Sequence, residues 1–458
     1  MKTNELHHLF WRAGFGISPE IANKLERKTR KNVVDWLFQK SATNTPITVD
    51  TSELQKFYAD NRQNFKNIRQ EFQRMNREKV NEFSEVWVDR MISSEELLRE
   101  RMHLFWSNHF VCRDRSINHF QQYQNTMRKH ALGNFGDYVL AISKEASMLK
   151  YLNNKQNVKG KPNENFGREL LELFTLGIGN YSEQDIKAAA KAFTGWSHNP
   201  RGEFIFREGK HDNSQKSFLG EKGNFNGDEI IDIILTKKEC ARFVCSKVYK
   251  YFVNENINAT HVEELADVFY KDYEIEPMMR HLLMADWFYD QKNIGSKIKS
   301  PMDLYVGIQK TVPFKFNKGR SLMYFQRELG QVLIDPPNVA GWKGGRTWID
   351  SNTMLVRLKL ASMALNQAVI ALDEKGEFED SYEMYYERMK NRKRQLKVTP
   401  QWSSFDEAYK NVAAKDLEPF ILQGTLSEGA KELIANLVID NKHDYCVQLM
   451  SLPEYQMC

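Results

Sequence analysis

A mainly α fold is what this chain predicts: a large helical domain over residues 1–372, a small β-hairpin insertion near 203–219, and a helical extension over 373–458 packed on that core. Three observations carry it. Apolar residues recur three and four apart over most of the chain, as in Phe166, Leu170, Leu173 and Phe174, or Met102, Phe105, Trp106 and His109. Helix start signals stand ahead of these stripes, among them Ser182 with Asp185 and Ser93 with Glu96, each a capping-box spacing. Strand-like runs are short and few, chiefly 203–206 and 217–219.

The elements follow in order. Residues 1–16 make a short helix ending in the turn Ala13–Gly16, and Ser18-Pro19-Glu20 opens the next, with proline at the first helical position. Ser52–Val80 is predicted as one long charged helix whose apolar stripe, Phe65, Ile68, Phe72 and Met75, lies along one side. It is either an exposed arm laid on the body or a partner-binding helix. The helix from Ser93 carries His103 and His109. Six residues at 100° each place these two about 120° apart, so they do not share a face as in H-E-x-x-H. The alternative for His109 is a core histidine hydrogen-bonded beneath Trp106. Further helices are expected at 118–132 and 135–152.

The stretch from Pro162 to Trp196 reads as two helices with a hard stop between them. Gly177 and Gly179 supply the stop, because glycine takes the left-handed geometry without steric cost. Glu164, Arg168 and Glu172 are spaced for an ion-pair ladder. Glu169 and Glu172 project about 60° apart on an α-helix and could converge on one ligand. Beyond Trp196, residues 203–206 and 217–219 are expected to pair as one hairpin with His211 and Asp212 between its arms. Helices resume at 226–235, 239–252, 261–273, 277–285 and from Ser300-Pro301 to 312. The stretch 335–348 holds Pro336, Pro337, Gly341, Gly344 and Gly345, which exclude regular structure. It displays Asp335, Asn338, Trp342, Arg346 and Trp348, a set suited to a polar ligand such as a sugar or carboxylate. Ser351 or Asn352 caps a helix to about 372. Glu374–Tyr386 is acidic and aromatic, Arg388–Lys397 strongly basic, and three short helices close the chain.

Composition narrows function by exclusion. Hydrophobic residues make up 41% and charged residues 27%, an ordinary soluble balance. The net charge of +5, from 65 basic against 60 acidic residues, is too mild to imply nucleic acid. No run of about 18 apolar residues suggests a membrane span. Five cysteines, an odd number at irregular spacing with no C-x-x-C pair, point to buried free thiols. The first dozen residues lack a signal-peptide pattern, so a cytoplasmic protein is expected. No nucleophile elbow, P-loop, dinucleotide fingerprint or zinc-hydrolase helix occurs.

The stretch PNENFGRELLELFTLGIGNYSEQD (162–185) resembles the signature of a bacterial family catalogued as domain of unknown function 1800. Leu9–Gly16 (LFWRAGFG), Met102–Phe110 (MHLFWSNHF), His211–Gly220 (HDNSQKSFLG), Lys299–Pro301 and Asp335–Trp348 (DPPNVAGWKGGRTW) resemble further motifs of that family, in family order. The resemblance implies a partner, because relatives are often encoded beside the domain-of-unknown-function family 1501, which is similar to sulfatases and phosphatases and often carries twin-arginine export signals. The first expectation is therefore a helical assembly protein that acts with such a partner, either cytoplasmic or exported as its passenger. The second is a metal-dependent enzyme acting on a polar or carbohydrate-like substrate. Glu169, Glu172, Asp335 and Arg346 would be its catalytic groups. His103, His109, His211 and Asp212 would hold a divalent metal ion, and Asn338, Trp342 and Trp348 would bind ligand.

Overall fold

In the computed structural model, the structure describes residues 1–61, 63, 65–316, 321–366, 398–423, 426–436 and 441–458. The fold is mainly helical, with only small two-stranded antiparallel sheets among the described residues. The chain divides into two compact units. One comprises Met1–Thr29, Tyr289–Val332 and Gly344–Cys458, the other Arg30–Phe288 and Leu333–Lys343. The boundary expected near 372, the acidic stretch 374–386 and the basic stretch 388–397 lie outside the described residues.

The larger unit begins with α1 (Arg30–Lys40) and α2 (Ser52–Asp60). The single helix expected over 52–80 is instead two, because α2 ends at Asp60 and α3 (Phe65–Ser93) runs on well past Val80. The N-terminal half of α3 is an exposed charged arm with Ile68, Phe72 and Met75 half-buried; Phe83, Trp87 and Met91 are buried further on. Ser93 does not cap the next helix. It ends α3 with its hydroxyl on the Asp89 carbonyl, while Ser94 Oγ accepts from the Glu96 amide just before α4 (Leu97–His109). There follow α5 (Ile117–His130), α6 (Phe135–Lys144), α7 (Ala146–Tyr151) and α8 (Asn165–Glu169). After the signature turn, α9 (Glu183–Ala192) starts with the expected Ser182–Asp185 capping box. Asn226 and Glu229 form another at α10 (Gly227–Leu235), and α11 (Lys238–Phe252), α12 (Ala259–Phe269) and α13 (Ile275–Met284) complete the unit.

The expected hairpin is corrected by the structure. The runs 203–206 and 217–219 do not pair with each other; each belongs to its own hairpin. β1 (Trp196–His198) pairs with β2 (Phe204–Phe206), and β3 (Lys216–Phe218) with β4 (Glu221–Gly223). The reason is turn chemistry. Gly202 (φ +92°) closes the first hairpin, and Leu219 (φ 48°) with Gly220 (φ +93°) closes the second.

The other unit holds α14 (Pro301–Thr311), which starts with proline and the capping box of Ser300 and Asp303, then α15 (Ser321–Glu328) and α16 (Ser351–Leu365). Asp350, one residue before the positions expected, caps α16 by accepting from the Thr353 amide at 2.8 Å. A third pair not anticipated from sequence joins β5 (Phe314–Phe316) to β6 (Val398–Pro400). At the core of this unit Lys299 is fully buried, its Nζ 3.7 Å from the Trp11 ring centre and 3.6 Å from that of Tyr455. The Arg357 guanidinium donates to the Lys299 carbonyl at 2.6 Å.

All five cysteines are buried and unpaired. No helix among the described residues is long and apolar enough to cross a membrane.

Candidate functional site

The signature turn is where the structure departs most from α geometry. After α8 the chain continues as a π-helix over Leu170–Thr175. The Leu176 and Gly177 amides both return to the Leu171 carbonyl, at 2.9 and 3.0 Å, and Thr175 Oγ1 donates to the Leu170 carbonyl at 2.6 Å. A wide turn of this kind is poorly held by the backbone alone and often marks a functional site. Side chains from outside the turn supply what it lacks. Lys247 Nζ donates to the Leu173 carbonyl at 2.7 Å, His109 Nε2 to that of Phe174 at 2.9 Å, and Asn180 Nδ2 to that of Leu176 at 2.9 Å. Gly177 and Gly179 then take φ of +78° and +93°, and Ile178 between them is 80% exposed.

This geometry defines the two histidines. A carbonyl can only accept, so His109 carries its proton on Nε2; the ring is buried and lies edge-on to Trp106 at 5.2 Å. Burial first, and then the Lys247 charge, hold its pKa well below the ordinary histidine value. His103 is likewise buried, stacked on Trp87 at 4.4 Å and bonded through Nε2 to Gln124 at 2.9 Å. Burial and the nearby Arg128 charge push its pKa down to about 3.

Glu169, Glu172 and Tyr181 do come together. Tyr181 donates to Glu172 Oε2 at 3.2 Å. Glu169 is half-buried, and burial, reinforced by the Glu172 charge, raises its carboxyl. Glu172 leaves the expected ladder: Arg168 pairs with Glu164 at 3.2 Å and with Glu183 at 2.8 Å instead. Next to the turn lies an open polar cleft of about 570 Å³, lined by Asn180, Ser182, Asp185, Ser217, Lys237 and Glu239 among others. Glu169 and Glu172 do not line it.

The remaining expected site residues are taken in turn. His211 is buried with Nδ1 2.9 Å from the Thr194 carbonyl, and the Asp212 amide donates to Thr194 Oγ1 at 2.7 Å. Asp335 pairs with Arg113 at 2.7 Å. Asn338 Oδ1 accepts from the Ala340 amide at 2.9 Å. Trp342 is held by Asn108, whose Oδ1 accepts its amide at 2.7 Å and whose Nδ2 donates to its carbonyl at 3.0 Å. Arg346 and Trp348 belong to the other unit, in a 3₁₀ turn over Gly345–Trp348. No three His, Cys, Asp or Glu side chains among the described residues converge as metal donors, so His103, His109, His211 and Asp212 are not gathered into one donor set. Each histidine instead serves a separate local backbone or side-chain partner.

Sequence reasoning missed a second polar cluster. Asp114 precedes α5, His119 lies in its first turn, Ser147 and Lys150 lie on α7, and His198 ends β1. Lys150 forms an ion pair with Asp114 and lies 2.9 Å from His119 Nδ1; Ser147 Oγ donates to Asp114 Oδ2 at 2.8 Å. His119 and His198 meet edge to face at 5.4 Å. These residues stand in three separate stretches, 114–119, 147–150 and 198, without a recognised spacing, so no local pattern signals them. Arg113 lies beside them, tying this cluster's loop to Asp335.

Fold and site together define a mainly helical protein with a side-chain-braced π turn and a half-buried Asp-Lys-His cluster. The chain belongs to the family described as Protein of unknown function (DUF1800), which matches residues 8–457. No curated protein and no solved structure matches it.

Proposed function

We propose that this chain is a binding and assembly protein for a sulfatase- or phosphatase-like partner of the domain-of-unknown-function family 1501, with the signature turn as its docking element. One observation carries this reading. Both motif histidines are taken up inside the fold, His109 on the Phe174 carbonyl of the turn and His103 on Gln124 of α5, while the turn holds Ile178 out in solvent at 80% exposure, beside the polar cleft that Leu176 and Gly179 help to line. A large apolar side chain fixed in that manner suits insertion into a partner pocket, where a central apolar anchor dominates binding. Such an interface, formed before transport, would also permit the passenger route.

The test uses the two purified proteins. The expected result is a complex on size-exclusion chromatography that Ile178→Asp weakens by about thirtyfold or more, the scale of a central interface residue. Failure of the wild-type pair to associate, or unaltered binding by Ile178→Asp, would overturn the proposal. Cell fractionation with and without the partner tests the passenger route.

The half-buried Glu169 favours a second reading, acid–base chemistry on a polar or carbohydrate-like substrate, with Glu172 and Tyr181 beside it. Among the described residues its carboxylate has no hydrogen-bond donor. Elemental analysis checks the metal-dependent form of this reading: stoichiometric metal in the wild type, lost in Glu169→Ala, would support it, and metal-free protein of full stability would remove it.

A further inference from the structure

We propose that Asp114, His119, Lys150 and His198 form the floor of a binding site for an oxyanion that still carries a proton, a hydrogen phosphate or phosphate monoester group. The turn Asn199–Gly202 between β1 and β2, which carries His198 at its base, is its roof.

The hydrogen bonds assign both imidazoles. The Lys150 ammonium can only donate, so His119 Nδ1 is an acceptor at 2.9 Å and the ring proton sits on Nε2, 3.3 Å from the Pro200 carbonyl. His198 Nδ1 lies 2.7 Å from the Asn199 carbonyl and therefore carries the proton of that ring. Its Nε2 is left as a bare lone pair. That atom is buried and has no partner, on a residue only 6% exposed. Buried polar atoms are normally satisfied, and an unsatisfied acceptor calls for a donor brought from outside. Both histidines lie below the ordinary value, chiefly through burial, which agrees with neutral rings.

Lys150 supplies the complementary feature. Two of its three N–H groups go to Asp114 and His119, which leaves one, and its side chain is 31% exposed. Lys150 and Lys155 both act on His198, and Arg113 adjoins at the surface. The cluster thus offers a positive donor and a bare acceptor together. A hydrogen phosphate group answers both, accepting from Lys150 and donating its own O–H to His198. Sulfate, fully ionised, has no hydrogen to give and leaves the imidazole nitrogen unsatisfied.

The roof explains how such a ligand would enter. Gly202 lies directly on the cluster, where a Cβ would stand 2.9 Å from the His119 ring and 2.9 Å from Gln122 Oε1. The turn is tied down at His119–Pro200 by a bond of 3.3 Å and at Gln122–Gly202 by one of 3.4 Å, both long for hydrogen bonds. Breaking those two bonds lifts the tip off α5, and His198 moves with it, its Nδ1 still on the Asn199 carbonyl and its proton placement unchanged.

Ring-nitrogen NMR of the whole protein, at a pH of about 6 near the second ionisation of a phosphate ester, tests the site. Inorganic phosphate, glycerol phosphate and sulfate are titrated separately. The expected result is a saturable shift of His198 Nε2 with inorganic phosphate or glycerol phosphate, the tighter of the two identifying the free ion or the ester. Sulfate should bind at least about tenfold more weakly, and folded Lys150→Gln should lose the response by a similar factor. No response to either phosphate, an equal response to sulfate, or undiminished phosphate binding by folded Lys150→Gln would overturn the proposal. Should Lys150→Gln not fold, the wild-type comparison of phosphate with sulfate decides alone.

Discussion

Gly177 and Gly179 flank Ile178 and provide a matched pair of substitutions. Both have positive φ, +78° and +93°, so an alanine at either site meets the left-handed penalty of about 1–2 kcal/mol. Their surroundings differ. A Cβ at Gly177 would lie 2.6 Å from Phe243 Cδ2 and 2.9 Å from its Cε2, whereas nothing stands within 4 Å of one at Gly179. Phe243 cannot turn aside without consequence, since Lys247 lies 4.5 Å from its ring centre while holding the Leu173 carbonyl. Overpacking of this sort adds about 1–3 kcal/mol. Gly177→Ala should therefore lose about 2–5 kcal/mol and Gly179→Ala only about 1–2 kcal/mol, summing those two effects. Urea denaturation followed by tryptophan fluorescence measures both, with hydrogen exchange at the 170–177 amides to locate the loss. Equal losses, or a larger one at Gly179, would refute the placement of the turn against Phe243.

Three further outcomes follow from buried groups. Burial pushes the Glu100 carboxyl up to about 7 from 4.5, although Arg128 lies 2.8 Å away. The folded state then keeps a proton that the unfolded chain releases, so stability falls as pH rises from about 4.5 through about 7. Glu100→Gln should flatten that fall by roughly 3 kcal/mol, from 2.5 pH units at 1.36 kcal/mol each, in denaturation curves across the range. Lys299 is lowered to about 7 from 10.5, chiefly by burial, so the folded state holds fewer protons than the unfolded one between those values. Stability should rise with pH over that window by up to roughly 5 kcal/mol, less whatever the two aromatic rings return to the charged form, and Lys299→Met should abolish the slope. Finally, all five cysteines are buried and burial pushes the thiols of Cys112 and Cys240 up, so a thiol reagent should find none of the five in the native protein and all five after unfolding.

The sequence by itself determined what depends on near neighbours. Helical class follows from stripes three and four apart, and the caps Ser182–Asp185 and Ser300–Asp303 lie where their spacing puts them. The stop at Gly177 and Gly179 needs only the local preference of glycine for positive φ. Glu169 and Glu172 adjoin because three residues separate them. Tertiary structure decided what depends on groups far along the chain. The π turn was illegible because its braces, Lys247 and His109, come from 74 and 65 residues away. Sequence left His109 open between a metal ligand and a core histidine beneath Trp106, and its bond to the Phe174 carbonyl, 65 residues away, fits the second. The strands were visible as short apolar runs, but their partners were set by the turns at Gly202 and at Leu219–Gly220, and a run of three residues carries no record of its partner. The Asp114, His119, Lys150 and His198 cluster lies wholly on the tertiary side. Its members share no element and no spacing, and only the packing of α5, α7 and β1 brings a carboxylate, an ammonium and two neutral imidazoles within reach of one another.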